Sequence, residues 1–161
     1  MTSRDASVLD DAIHSFNKAL DLLERTPSAA SSIETARLYQ KLSEALSRRA
    51  RTGGLDREQQ GKYLENARTY NTRMIELAES LDQYPEMRLQ AQFERACLLA
   101  QEIEHEAQGG SGHALLRLRH RRDAALVDLS ERLQNLQDVK HKNIATFQQQ
   151  EEWYRRHLGI I

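Results

Sequence analysis

The chain has a single cysteine, Cys97, which rules out an internal disulfide and any framework of the secreted-protein kind. It has no apolar run near the 18 residues a transmembrane helix starts from, so no segment is expected to span a membrane. The opening residues, Met1 to Asp5, lead into no apolar stretch of the signal-peptide type, and none is expected. Charge of one sign is also missing. Lys+Arg is 23 against Asp+Glu 24, a net charge of −1, so no overall field draws the chain onto nucleic acid or an anionic membrane. These absences together predict an intracellular protein in a reducing setting, cytoplasmic or nuclear.

Catalytic signatures are lacking as well. There is no Gly-x-Ser-x-Gly, and Gly109-Gly110-Ser111-Gly112 lacks the lysine of a phosphate-binding loop, so it reads as a hinge. Cys97 sits between Ala96 and Leu98-Leu99, the setting of a buried inert thiol. The histidines at 14, 105, 113, 120, 141 and 157 show no ligand clustering. Glu102-x-x-His105 has the spacing used in di-iron bundles, but its nearest counterpart, Asp138-x-x-His141, turns away from the apolar side of its helix. No enzyme activity, metal or cofactor is expected.

Two prolines, few β-branched residues and abundant Leu, Ala, Glu, Gln and Arg predict an all-α chain. The first helix is expected from Ser7, as cap, to Arg25. Its face is Leu9, Ala12, Ile13, Phe16, Ala19, Leu20 and Leu23. The second is expected from Ser31, with Glu34 at capping-box spacing, to Arg51, before Thr52-Gly53-Gly54. Asp56 and Gln59 repeat that spacing ahead of a third helix to about Gln83, with Tyr63, Ala67, Tyr70, Met74, Leu77, Ala78 and Leu81 on its face. Pro85 opens a fourth, to about Gln108, apolar on more than one side through Leu89, Phe93, Ala96, Cys97, Leu98, Leu99 and Ile103.

The remaining segment, His113 to Leu158, contains no glycine or proline. Leu115, Leu118, Leu126, Leu129, Leu133, Leu136, Phe147, Tyr154 and Leu158 fall within a sector about 100° wide. A continuous helix of about 46 residues would be roughly 69 Å long, well beyond the others. The expected organisation is therefore residues 1–110 as two antiparallel hairpins, and residues 111–161 as a long helix. Its first half would pack on the hairpins and its second half would project. A break near Lys140–Asn143 is the alternative.

The stretch Ala12 to Pro27, AIHSFNKALDLLERTP, resembles the second helix of a tetratricopeptide repeat, in its small residue Ala12, aromatic Phe16, small residue Ala19 and closing Pro27. The resemblance departs in several ways. Pro27 falls about a turn late, there is no 34-residue period, and RLYQKLSEAL stands where the Trp, Leu-Gly and Tyr pattern belongs. It implies a degenerate tetratricopeptide-like array that binds other proteins; a helical bundle of other ancestry accounts for the same spacing.

The candidate partner-binding residues are Arg117, Arg119, Arg121 and Arg122, with Phe147, Trp153 and Tyr154 further along. Arg117 and Arg121 lie about 40° apart on the wheel, with Arg119 on another side. Arg122 falls inside the apolar sector, where an unpaired guanidinium is costly; it should pair, snorkel or face an opening. Arg48, Arg49 and Arg51 form a second run, at a helix C-terminus that favours cations. The expected function is a non-catalytic scaffold or adaptor. Its arginines steer an acidic stretch of a partner protein, and its late aromatics anchor a hydrophobic one. The alternatives are a coiled-coil subunit that dimerises through Leu126–Leu136 and, against the charge balance, a nucleic-acid binder.

Overall fold

A computed structural model of the chain describes residues 3–25, 29–81, 84–109, 112–138 and 149. The described residues form five helices and no strand: α1 (Ser3–Glu24), α2 (Ala29–Arg51), α3 (Arg57–Glu79), α4 (Pro85–Ala107) and α5 (Gly112–Asp138). The fold is all-α: α1 with α2, α2 with α3, and α4 with α5 pack as antiparallel hairpins. It divides into two compact units, Met1–Leu81 and Asp82–Ile161. The division falls between α3 and α4, one helix earlier than the boundary at 110/111 suggested by the glycine run.

In the first unit α2 packs against both α1 and α3. Its buried positions are Ala36, Leu42, Ser43, Ala45, Leu46, Ser47 and Ala50, which span roughly 200° of the helix at about 100° per residue. Five of these seven are Ala or Ser, so two neighbours can approach the α2 backbone closely. α3 contributes buried Leu64, Ala67, Met74 and Ala78, together with Asn71, which is also fully enclosed. Leu64 and Asn71 lie beside the stripe expected for α3 and widen its buried face. α1 is the least buried of the three. Only Leu20 of its expected face is fully enclosed; Leu9, Ala12, Ile13, Phe16, Ala19 and Leu23 are half-buried.

The α2–α3 connection shows how local chemistry fixes a hairpin. The Thr52 amide donates to the Arg49 carbonyl at 3.1 Å, and Gly54 turns the chain at φ +86°, where a Cβ would be strained. The expected capping box is present. The Gln59 amide donates to Asp56 Oδ1 at 2.8 Å, and the Asp56 amide donates to Gln59 Oε1 at 3.1 Å. Two other caps are corrected. Ser7 lies inside α1, which starts at Ser3 because Asp5 suits the first turn and half-buried Ala6 extends the apolar face. Ser31 lies inside α2, because Ala29 and Ala30 are strong helix formers that carry the start past it. α3 stops at Glu79, short of Gln83. The Ser80 amide donates to the Leu77 carbonyl at 3.1 Å and its hydroxyl donates to the same oxygen at 2.7 Å, closing the last turn.

In the second unit α4 packs against α5. α4 starts with Pro85 in its first turn, as expected. Met87, Leu89, Ala91, Phe93, Ala96, Leu98 and Leu99 are buried and lie on several sides of the helix, matching its all-round apolar sequence. On α5, Leu115 and Leu118 are half-buried. The course of the chain past Asp138, the expected projection, and Phe147, Trp153 and Tyr154 lie outside the described residues.

Candidate functional site

Two features of the described residues offer recognition chemistry, and each belongs to one unit. The first is the arginine run of α5. Arg117, Arg119 and Arg121 are exposed and make no ion pair with any described residue. Arg117 and Arg121, one turn apart, present two guanidinium groups on one side, while Arg119 points elsewhere. Arg122 differs from the other three. Its side chain is 19% exposed, and Nη2 lies 3.1 Å from Oδ1 of its neighbour Asp123, with Nε donating to the same oxygen at 3.1 Å. Part of its charge is therefore offset by its own neighbour on α5. Leu116 and Val127 are 53% and 60% exposed and, eleven residues apart, lie about 20° from one another on the wheel.

The second arginine run has a structural role. Arg48 pairs with Glu44 at 2.7 Å, one turn back. Arg49, with a side chain 13% exposed, reaches across to α1 and donates from Nε to Asp10 Oδ1 at 2.9 Å. It also donates to the Thr52 hydroxyl and places its guanidinium 5.3 Å from the centre of the Tyr63 ring on α3. One side chain thus joins the last turn of α2 to both neighbours.

The second feature lies at the other end of the same unit. There the C-terminal ends of α1 and α3 meet the N-terminal half of α2 around an open cleft of about 560 Å³. Leu23 and Glu24 line it from α1, and Ser32, Thr35 and Tyr39 from α2. Arg73, Glu76, Leu77 and Ser80 complete it from α3. The Tyr39 ring centre is 6.1 Å from that of Tyr70, whose hydroxyl is 3.1 Å from Asn17 Oδ1. Burial pushes the Tyr39 phenol above its ordinary value of 10.0. The Glu24 carboxylate adds to the rise, Arg73 opposes it and Tyr70 adds to it. Arg73 lies 5.5 Å over the Tyr70 ring. It makes no ion pair with Glu76, three residues on, and neither Glu24 nor Glu76 pairs with a described residue.

The other sequence candidates give less. Cys97 is half-buried, more accessible than its apolar neighbours suggest, and forms no disulfide. Glu102 is buried and His105 half-buried on α4. No group of three or more His, Cys, Asp or Glu side chains among the described residues could hold a metal, and His141 lies outside those residues. No described helix is long and apolar enough to cross a membrane. No protein family, curated protein or solved structure matches the chain.

The cleft was not among the sequence candidates, although part of its signal is in the sequence. Glu24 is the last residue of α1, Glu76 and Glu79 lie in the last turn of α3, and neither helix has a basic residue in that turn. Carboxylates at helix C-termini oppose the macrodipole, and two such ends in one chain mark a place to look. That the two ends meet is a matter of tertiary packing.

Proposed function

We propose that the chain is a non-catalytic protein-interaction scaffold, a degenerate tetratricopeptide-like array of antiparallel helices. In this reading Arg117, Arg119 and Arg121 on α5 steer an acidic segment of a partner. The supporting observation is that these three guanidinium groups are exposed and make no ion pair with any described residue. A structural role would employ them as Arg49 is employed, in contacts between helices. Bidentate contact with Glu or Asp suits arginine over lysine, and Leu116 beside the run adds apolar area for an amphipathic partner. Phe147, Trp153 and Tyr154 would anchor the apolar side of the same partner.

The test uses a labelled amphipathic Glu/Leu peptide. Binding should weaken as salt rises, and should fall by about tenfold or more when Arg117, Arg119 and Arg121 are replaced together by alanine. Thermal stability should change by no more than about 0.5 kcal/mol, because the positions are exposed. Unchanged affinity in the triple variant rejects the reading, as does tighter binding to a nucleic-acid duplex than to the peptide.

A second reading, a coiled-coil subunit, is favoured by the exposure of Leu116 and Val127 on one side of α5. Light scattering decides between the two. A dimer dispersed by Leu116→Glu with Val127→Glu supports the subunit reading, and a monomer rejects it.

A further inference from the structure

We infer that the cleft between the ends of α1, α2 and α3 is a binding site for an organic cation, a primary ammonium or a guanidinium carried on an apolar stem. Three independent observations lead there. The first is shape: an open cleft of about 560 Å³ is within the range of small-ligand sites. The second is charge. Glu24 and Glu76 line it against Arg73, the one cation among its described lining residues, which lies over the Tyr70 ring and makes no ion pair with either carboxylate. Arg25, the next residue after α1, makes no ion pair with a described residue either.

The third is the backbone field. The C-terminal ends of α1 and α3, each carrying partial negative charge, converge on the cleft, and only the N-terminal end of α2 opposes them. Helix C-termini ordinarily recruit Lys, Arg or His, and here both carry Glu instead. A ligand cation would pair with carboxylates that Arg25 and Arg73 leave without an ion pair among the described residues. Leu23 and Leu77 give its stem apolar contact, and the hydroxyls of Ser32 and Thr35 offer acceptors for remaining N–H groups.

The same chemistry is found on a free alkylamine and on a lysine or arginine side chain of another polypeptide, and the experiment has an arm for each. The full chain, labelled with ¹⁵N, is titrated with n-butylammonium, n-butylguanidinium and n-butyrate at low salt, following the amide signals of Ser32, Thr35 and Ser80. Both cations should give saturable shifts centred on these signals, and butyrate none. Glu24→Gln and Glu76→Gln should each weaken binding about threefold, and roughly tenfold together. Arg73→Ala should strengthen it, an opposite response that a misfolded variant would not give. Asp11→Asn, on the exposed side of α1 and outside the cleft, should leave it unchanged.

In the second arm an alanine-rich peptide with one central lysine replaces the free amine. Tighter binding of the peptide identifies a partner's side chain as the ligand, and tighter binding of the free amine a small molecule; both uphold the site. Shifts that fail to saturate, that scatter over the acidic surface, or that persist unchanged in the Glu24→Gln/Glu76→Gln variant overturn it.

Discussion

The two ends of the first unit are built from the same residue types and are finished in opposite ways. At one end, the last turn of α2 carries Arg48, Arg49 and Arg51. It meets the early part of α1, with Asp5 and Asp10, and the start of α3, with Asp56 and Glu58. The α2 arginines, Asp5, Asp56 and Glu58 agree with the dipoles of their own helices, whereas Arg4 and Arg57 stand against theirs. Arg49 closes this end by bonding Asp10 and covering Tyr63. At the other end Glu24 and Glu76 oppose their dipoles, Arg73 makes no ion pair with either, and a cleft is left open. A clasp between helices marks one end, and carboxylates that pair with no described residue mark the other. Departures from local preference of this kind mark the places where a chain keeps something in reserve for a ligand.

Substitutions can break that contrast. The largest effect is expected at the Arg49 end. Arg49→Ala leaves Asp10 without its partner and uncovers Tyr63, and should cost about 2–3 kcal/mol in urea unfolding. A loss below about 0.5 kcal/mol would show that the clasp contributes no more than a surface pair. Asp56→Ala removes the capping box of α3 and should cost about 1 kcal/mol. The open end should respond in the opposite direction. Glu24→Gln and Glu76→Gln each remove a charge that opposes its helix dipole, and each should stabilise the protein by about 0.3 kcal/mol or more. Destabilisation by either would mean the carboxylate has a structural role and would erase the distinction.

The smallest effect is on pH dependence. The Tyr39 phenol titrates above its ordinary value in the folded protein, mainly through burial and then through Glu24. An acid whose folded value is raised contributes stability that is complete below the unfolded value of about 10. That contribution is lost as pH rises through the folded value. Stability should therefore decline above pH 10, and Tyr39→Phe should make the decline shallower. Identical alkaline limbs in the two proteins would remove Tyr39 as its source.

Much of this architecture was legible in the sequence, because it rests on local rules. Asp56 with Gln59 announced α3, Pro85 announced α4, and Thr52-Gly53-Gly54 announced the turn between α2 and α3. Caps misled where another local rule was stronger. Ser7 and Ser31 have capping chemistry, but Asp5 and the Ala29-Ala30 pair carry their helices past them. Pairings between helices were not legible. Arg49 sits in a basic run that reads like the run in α5, and only packing distinguishes it, by placing Asp10 and Tyr63 within its reach. Arg122 was legible as an anomaly in an apolar sector, whereas its compensation by the adjacent Asp123 depends on a side-chain rotamer. The cleft needed two helix ends to be brought together, which no local pattern specifies.

The small side chains of α2 have a consequence for how the chain tolerates change. Ala36, Ser43 and Ala50 are buried on a helix that packs against both α1 and α3, so volume added there must be taken up by a neighbouring helix. Volume added to the exposed side of α1, as at Asp11 or His14, displaces no helix of the same unit. α2 thus works as a spacer whose width sets the gap between its companions, and with it the mouth of the cleft. Sequence drift should accumulate on the outer helices while this inner one stays narrow, and widening it by a methylene or two offers a way to tune what the cleft admits without touching its lining.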